Sequence, residues 1–350
     1  MRKIDNLFEK IRERQQKMLP FAMYCKPGAT SLRAILQKDS ETHFTETYSE
    51  SGFVFAPFEG KALLIPVASS DYYEVGLDPE IDAEFPEPEA DFSGKSQFEN
   101  LVSKALHEIA IGTFSKVVLS RTEEVTLDGV SAESIFRRIL SAYPAAFRYI
   151  FFHPAGGMWI GATPEKLIEV FASRFATVAL AGTQRFTGSE EVEWQAKERD
   201  EQQFVTDYII NGLHPVAENV TVSAPYTQQA GNVVHIRTDI SGEIANANGV
   251  GALLKVLHPT PAVCGFPKES ARRFILENEA YDRKYYSGFL GELHFGREND
   301  RSELYVNLRC MNIGDGNANL YVGCGVTKDS DPKAEFTETV NKAATIKRIL

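Results

Sequence analysis

Cysteine is scarce in this chain, and what little there is lies scattered: Cys25, Cys264, Cys310 and Cys324 include no C-x-x-C pair. That spacing excludes a zinc knuckle and a compact disulfide framework, and points to free thiols in a reducing cytoplasm. Positive charge is also short, with 37 Lys and Arg against 48 Asp and Glu and a net charge of -11. A phosphate backbone requires a basic footprint, so nucleic acid is excluded as a general partner. No apolar run approaches the ~20 residues of a bilayer-spanning helix. The N-terminal stretch sets Ile4, Leu7, Ile11 and Leu19 at helical spacing among charges, which is not the pattern of an export signal. Absent too are a P-loop, a G-x-G-x-x-G fingerprint and any repeat of 20 to 50 residues.

What is present is the material of a large core. Hydrophobic residues make up 43% of 350 and charged residues 24%, a balance that rules out a disordered, collagenous or coiled-coil chain. Strand-like runs begin at Gly52, Ala62, Lys116, Phe147, Met158, Phe175, Val233, Glu303 and Asn319, rich in β-branched and aromatic residues and bounded by turn formers. Helical periodicity marks the N-terminus and residues 96–112, 131–141, 192–211, 268–276 and 331–349. Several strands follow one another without a helix between them, so antiparallel sheets are favoured over a doubly wound parallel fold. The reading is one α+β domain over 1–350, with an N-terminal sheet region at 1–95, an acidic Pro-rich excursion at 77–96 and the chemistry in 97–350.

Two helical segments carry carboxylates three residues apart, Glu198 with Glu201 and Glu335 with Glu338. Each pair shares a helix face, and two such helices meeting offer several oxygens to one hard cation, for which magnesium is the natural guest. The alternative is a solvated charged face. Glu165, in GATPEKL, follows a proline within apolar sequence, where desolvation raises a carboxyl pKa and suits it to general acid work. Lys116 opens the apolar strand KVVLS, where a desolvated ammonium can act as a base or snorkel to solvent. The Gly-containing pieces AGT at 181–183, CGFPK at 264–268 and GCG at 323–325 read as strand-end turns that present backbone N–H groups to an anion. His235, inside VVHIRTD, has no partner at metal-ligand spacing and reads as a packed or hydrogen-bonded core histidine.

In order, KVVLSR, GATPEKL, ALAGTQR, KERDEQ, LHPTPAVCGFPK, DRKYYSG, NLRC, VGCGV and SDPKAEFTETVNK resemble the chorismate-utilising enzymes, and within them the isochorismate synthase branch. The resemblance runs from Lys116 to the C-terminus. It implies two large antiparallel sheets stacked face to face with helices outside, a magnesium ion, chorismate as substrate and a monomer. It further implies Lys116 as the base that activates water at ring carbon 2 and Glu165 as the acid that protonates the departing hydroxyl at carbon 4. Magnesium is then held by Glu201 and Glu338, with Glu198 and Glu335 close by. Arg309 and Tyr286 are implied as anchors of the pyruvyl carboxylate, and Gly182, Thr183, Gly323, Gly325 and Lys342 as an anion cradle. Ala181 stands where some members carry a nucleophilic lysine. Ala262 and Val263 resemble the isomerising branch rather than the pyruvate-releasing salicylate and anthranilate synthases. Gln202 replaces a common histidine, which leaves the contact at that position open. The product is expected to feed menaquinone synthesis, with siderophore synthesis as the alternative.

Overall fold

The computed structural model describes residues 3–77, 85, 87–186, 188, 192–230, 233–245, 249–296 and 301–350. Residues 78–84 and 86 of the acidic Pro-rich excursion at 77–96 lie outside them. Helices are α1 (Lys3–Gln16), α2 (Lys95–Ala110), α3 (Ala132–Ala142), α4 (Ala196–Leu213), α5 (Gly249–Leu257), α6 (Lys268–Asn278) and α7 (Pro332–Lys347). Two sheets carry the strands. The nine-stranded first sheet runs, edge to edge, β15 (Gly265–Phe266), β7 (Lys116–Thr126), β19 (Asn317–Thr327), β18 (Cys310–Gly314), β9 (Gly157–Thr163), β8 (Phe147–His153), β1 (Phe21–Cys25), β2 (Ser31–Gln37) and β6 (Ser70–Gly76). The ten-stranded second sheet runs β12 (Ala217–Val222), β14 (Val233–Ile244), β11 (Arg174–Arg185), β10 (Lys166–Phe171), β17 (Arg301–Val306), β16 (Phe289–Phe295), β4 (Gly52–Ala56), β5 (Ala62–Pro66) and β3 (His43–Thr45), with β13 (Tyr226–Ala230) also pairing β14. Neighbouring strands are antiparallel, as the abundance of short connections requires.

Alternation along the strands decides what lies between the sheets. Phe147, Tyr149 and Phe151 of β8 point inward, where they meet Phe53 and Phe55 of β4 and Tyr305 of β17. Phe55 stacks on Phe151 with ring centroids 4.2 Å apart, and Tyr305 on Phe147 at 4.3 Å, each contact joining one sheet to the other. Each buried ring contributes roughly 1.5–3 kcal/mol, so this aromatic layer is a main source of cohesion. The outer face of the first sheet is covered by α1 and α3, whose Leu7, Phe8, Ile11, Ile135, Phe136 and Ile139 share one cluster with Ile150 and Ile160. Ser131 caps α3 by accepting from the Ser134 N–H at 3.1 Å. The outer face of the second sheet packs Val205, Ile209 and Leu213 of α4 and Leu253, Leu254 and Leu257 of α5. Helices α2, α6 and α7 close over β7 and β19 through Phe98, Phe274 and Phe336.

Two apolar runs that read as single strands are each two strands in different sheets. Residues 158–171 divide at Pro164–Glu165 into β9 and β10, and residues 303–313 divide at Asn307–Arg309 into β17 and β18. The proline removes a ladder donor and ends β9. The crossings run side by side: Val306 N–H donates to the Glu165 carbonyl at 2.9 Å, and Ala162 N–H to the Arg309 carbonyl at 3.1 Å. Thr163 Oγ1 donates to the Val306 carbonyl at 2.6 Å. Gly323 and Gly325 also depart from expectation. They lie inside β19, opposite Ser120 and Val118 of β7, and not in a turn. Gly182 sits at a bulge within β11, with φ at +69°. Such an extra residue bends the strand and re-aims its neighbours.

Candidate active site

Lys116 opens β7 opposite Thr327 of β19, and its side chain runs past Gly325. A Cβ at position 325 would stand 3.3 Å from Lys116 Cε, so the glycine leaves the lysine its path over the sheet. The ammonium donates to Glu201 Oε1 at 2.7 Å. Two residues along β19, a Cβ at position 323 would meet Tyr286 Oη at 2.8 Å and the Leu119 carbonyl at 2.6 Å. Tyr286 is buried and stacks on Tyr321 at 5.6 Å. These two glycines therefore act by lacking a side chain, and the expected strand-end anion turn at 323–325 is not what the fold builds.

The carboxylates come from the first turns of two helices. Asp331 caps α7 by accepting from the Ala334 N–H at 2.9 Å, and Pro332 starts the helix. This places Glu335 and Glu338 in the first two turns. Glu338 pairs with Lys342 at 2.7 Å, and Lys342 also donates to the Gly323 carbonyl at 2.9 Å. Burial, and after it the charge of Glu338, raises Glu335 above the ordinary carboxyl range, while Ser330 opposes the shift. Its Oε2 is buried without a hydrogen-bond partner among the described residues. On α4, Glu198 closes the N-terminus as part of a capping box, accepting from the Gln195 N–H at 2.8 Å. Glu201 follows one turn later, beside Lys116.

Four carboxylates, one with an orphaned buried oxygen, are the hard oxygen donors that a magnesium ion takes. The donor set fits that guest. No three of their oxygens come within 4.8 Å of one another, and Lys116 and Lys342 neutralise Glu201 and Glu338 instead. Gln202 does not enter this group. Its amide is buried against β14, donating to Thr206 Oγ1 at 2.8 Å and Thr238 Oγ1 at 2.5 Å, so it fastens α4 to the sheet.

Glu165 sits at the first sheet crossing, partly accessible within an apolar wall. Burial pushes its pKa up to about 7, although the charges of Lys116 and Lys342 pull against the shift. The carboxylate makes no hydrogen bond to another described residue. Arg309 sits at the second crossing with φ at +46°, a conformation that costs a non-glycine residue energy and is found where neighbours hold it in place. The residue as a whole is exposed, but burial around the guanidinium lowers its pKa, with Tyr143 opposing the shift, and it makes no ion pair among the described residues. Ala262 lines the space beside Glu165, and Val263 is buried with its carbonyl accepting from Arg283 at 3.1 Å. The side chain of Thr183 lies outside the described residues.

His235 is half-buried and hydrogen-bonded, in keeping with its reading from sequence. It faces position 183 across the β11–β14 ladder, and its Nδ1 lies 3.1 Å from the Gly182 carbonyl. Burial lowers its pKa, and the charges of Lys342 and Lys116 lower it further, which places it beside the two lysines. Its place beside the lysines follows from the strand register, invisible until the bulge at Gly182 is known. The four cysteines are buried and in no disulfide, and no helix among the described residues is long and apolar enough to cross a membrane.

Comparison with known proteins bears on this geometry. Residues 79–350 match a family model described as chorismate binding enzyme. The chain is 32% identical over 265 residues to the salicylate biosynthesis isochorismate synthase of Pseudomonas aeruginosa, a match covering 73% of this chain and 55% of that protein. It is 28% identical over 262 residues to the isochorismate synthase EntC of Escherichia coli K12, covering 72% and 66%. The chain thus spans between about half and two thirds of the length of these relatives. Its fold is that of MenF, the menaquinone-specific isochorismate synthase of Escherichia coli, with a TM-score of 0.77 at 21% identity, covering 95% of this chain and 88% of that one.

Proposed function

The chain belongs to the chorismate binding enzymes, and on that premise we propose that it isomerises chorismate to isochorismate. One observation carries the reading: a carboxyl poised at about 7 stands unpaired at a sheet crossing, in the field of a lysine that reaches over a glycine-lined strand. At neutral pH such an acid is part protonated, which is the state a donor to a leaving hydroxyl requires. Lys116, as the neutral amine left once its ammonium has given up a proton to solvent, takes a proton from water as the water oxygen bonds to ring carbon 2. The ring double bonds shift, the carbon 4 to oxygen bond breaks, and Glu165 gives its proton to the departing hydroxyl. The pyruvyl ether survives, and no electrons leave the system.

Arg309, without an ion partner among the described residues, is suited to clamp a substrate carboxylate through its planar fork, and the Tyr286 hydroxyl, which occupies the space over Gly323, is proposed as a second anchor. Alanine at position 181 provides no amine for covalent attack, which leaves water as the nucleophile. Glu201 and Glu338, with Glu198 and Glu335, would hold magnesium. When bound, it supplies a positive charge that fixes and neutralises the ring carboxylate. Menaquinone synthesis is the proposed destination of the product, as the housekeeping use of isochorismate. The similarity to the Pseudomonas enzyme keeps salicylate and siderophore routes as the second reading.

Incubation with chorismate and magnesium, followed by chromatography and a lactate dehydrogenase assay for pyruvate, tests the activity. Isochorismate with little pyruvate is expected. Stoichiometric pyruvate with salicylate or anthranilate would overturn the assignment.

A further inference from the structure

Beside Glu165 lies a small cavity that the reaction above leaves unused. Its volume is about 20 Å³, and Glu165, Thr177, Thr260 and Ala262 contribute to its walls, which are otherwise mainly apolar side chains of the second sheet, α4 and α5. That is room for one water, which needs ≳ 10–15 Å³ and at least two polar partners. The partners are at hand. Thr260 Oγ1 is buried with no hydrogen-bond partner among the described residues, while the Thr260 carbonyl accepts from the N–H groups of Val263 and Cys264 at 3.1 and 3.0 Å and so holds the turn in place. Thr177 Oγ1 donates to the Leu167 carbonyl at 2.7 Å and retains its acceptor capacity.

We propose that one water occupies this cavity, anchored by the Thr260 hydroxyl, and donates a hydrogen bond to the cavity-side oxygen of Glu165, making Thr260 a positioning residue for the acid. A neutral carboxyl carries a single proton. If the oxygen facing the cavity accepts from the water, that proton resides on the other oxygen, the one open to substrate. After proton transfer the same hydrogen bond is made to a carboxylate, where charge strengthens it. The water is not consumed and forms no covalent bond. The charged groups facing Glu165 are Lys116 on β7 and Lys342 on α7, and Lys166, which lines the same cavity, is tied to Glu169 at 2.8 Å and Glu303 at 3.0 Å. The proposal rests on Glu165 being the acid of the isomerisation, but the water and the titration of Glu165 can be measured without turnover.

Thr260→Val keeps the shape and removes the hydroxyl. Infrared titration of the Glu165 carboxyl, taken as the difference from Glu165→Gln, should show its midpoint rising by about half a pH unit or more in Thr260→Val, because the ionised form has lost a donor. Thr260→Ser should restore it. In turnover, kcat should fall on the order of tenfold with KM for chorismate unchanged, and the alkaline limb should move with the midpoint. A high-resolution crystal structure of the unmodified protein should show a water within about 3.2 Å of Thr260 Oγ1. An unmoved or lowered midpoint, or an empty cavity, would overturn the proposal. Turnover without the infrared response defeats this inference alone, and the response without turnover defeats the assigned activity alone.

Discussion

Lys166 follows Glu165 directly in the chain, yet the two belong to opposite kinds of ionic grouping. On the Lys166 side, between the sheets, every charge is matched. Glu303 is held by Lys26 at 2.6 Å, Lys166 at 3.0 Å and the Tyr305 hydroxyl, and Glu292 by Lys26 at 2.6 Å, Arg33 at 2.9 Å and the Tyr24 hydroxyl at 2.7 Å. On the Glu165 side, among the described residues, the acid is unpaired, Glu335 keeps an orphaned oxygen and Arg309 has no counter-ion. The closed grouping joins one sheet to the other and has nothing left to offer a ligand. The open one keeps unmet valences, and such a site holds its shape only because the fold around it is rigid.

The largest effects should come from emptying the open grouping. EDTA, or Glu201→Ala or Glu338→Ala, should reduce turnover to background while circular dichroism stays unchanged; full activity in EDTA would refute the metal role. Next, Lys116→Gln and Glu165→Gln should each lower kcat on the order of 10²-fold or more with modest change in KM, and by the same factor in kcat/KM for the reverse direction. Near-normal rates in Lys116→Gln would leave that lysine as a strand-end cation bonded to Glu201.

Opening the closed grouping should do the reverse. Glu303→Leu leaves Lys26 and Lys166 short of a partner and should cost about 3–5 kcal/mol in urea unfolding, with specific activity of the folded fraction largely kept. Burial alone would raise Glu303, but hydrogen bonds from Lys26 and Tyr305, with the charges of Lys26 and Lys166, hold it down to about 2. Its contribution to stability is therefore complete above the ordinary value of 4.5 and lost as pH falls through about 2. Unfolding midpoints that do not change across that window in the wild type would break the contrast.

Glu165 has the opposite sign. Raised to about 7, it binds its proton more tightly folded than unfolded, so its contribution to stability declines as pH rises from 4.5 to about 7. Forward kcat should fall above pH 7 for the same reason. The smallest expected effect sharpens the comparison most: Glu165→Gln should gain about 1–2 kcal/mol of stability at pH 8 while losing catalysis. Equal stability of the two proteins at pH 8 would contradict a desolvated acid.

Six of the helices and the long strands were legible because their periodicity and caps are local. Helix α5 was not, since Gly249, Gly251 and a short apolar stretch give little helical signal. The sheet crossings stayed hidden because burial on both sides of Pro164 and of Asn307 gives one continuous apolar run. Glycines 323 and 325 looked like punctuation, but their purpose is to clear space for side chains of other elements, which no local pattern records. Lys116 and Glu165 could be singled out on chemistry alone; that Glu165 is unpaired and Glu303 saturated depends on partners more than a hundred residues away.

The twin crossings at Pro164–Glu165 and Asn307–Arg309 also govern how this site can be inherited. Neither sheet is contiguous in the chain, and the acid and the arginine each ride on a passage from one sheet to the other, clasped to its twin by main-chain hydrogen bonds. Splitting the chain between the crossings separates the acid from the arginine and divides the strands of both sheets, so each half should be inert until the two recombine. Lineages built on such a corner can alter their reaction by exchanging side chains at its lip, but they cannot acquire it, or lend it, by shuffling a piece of gene.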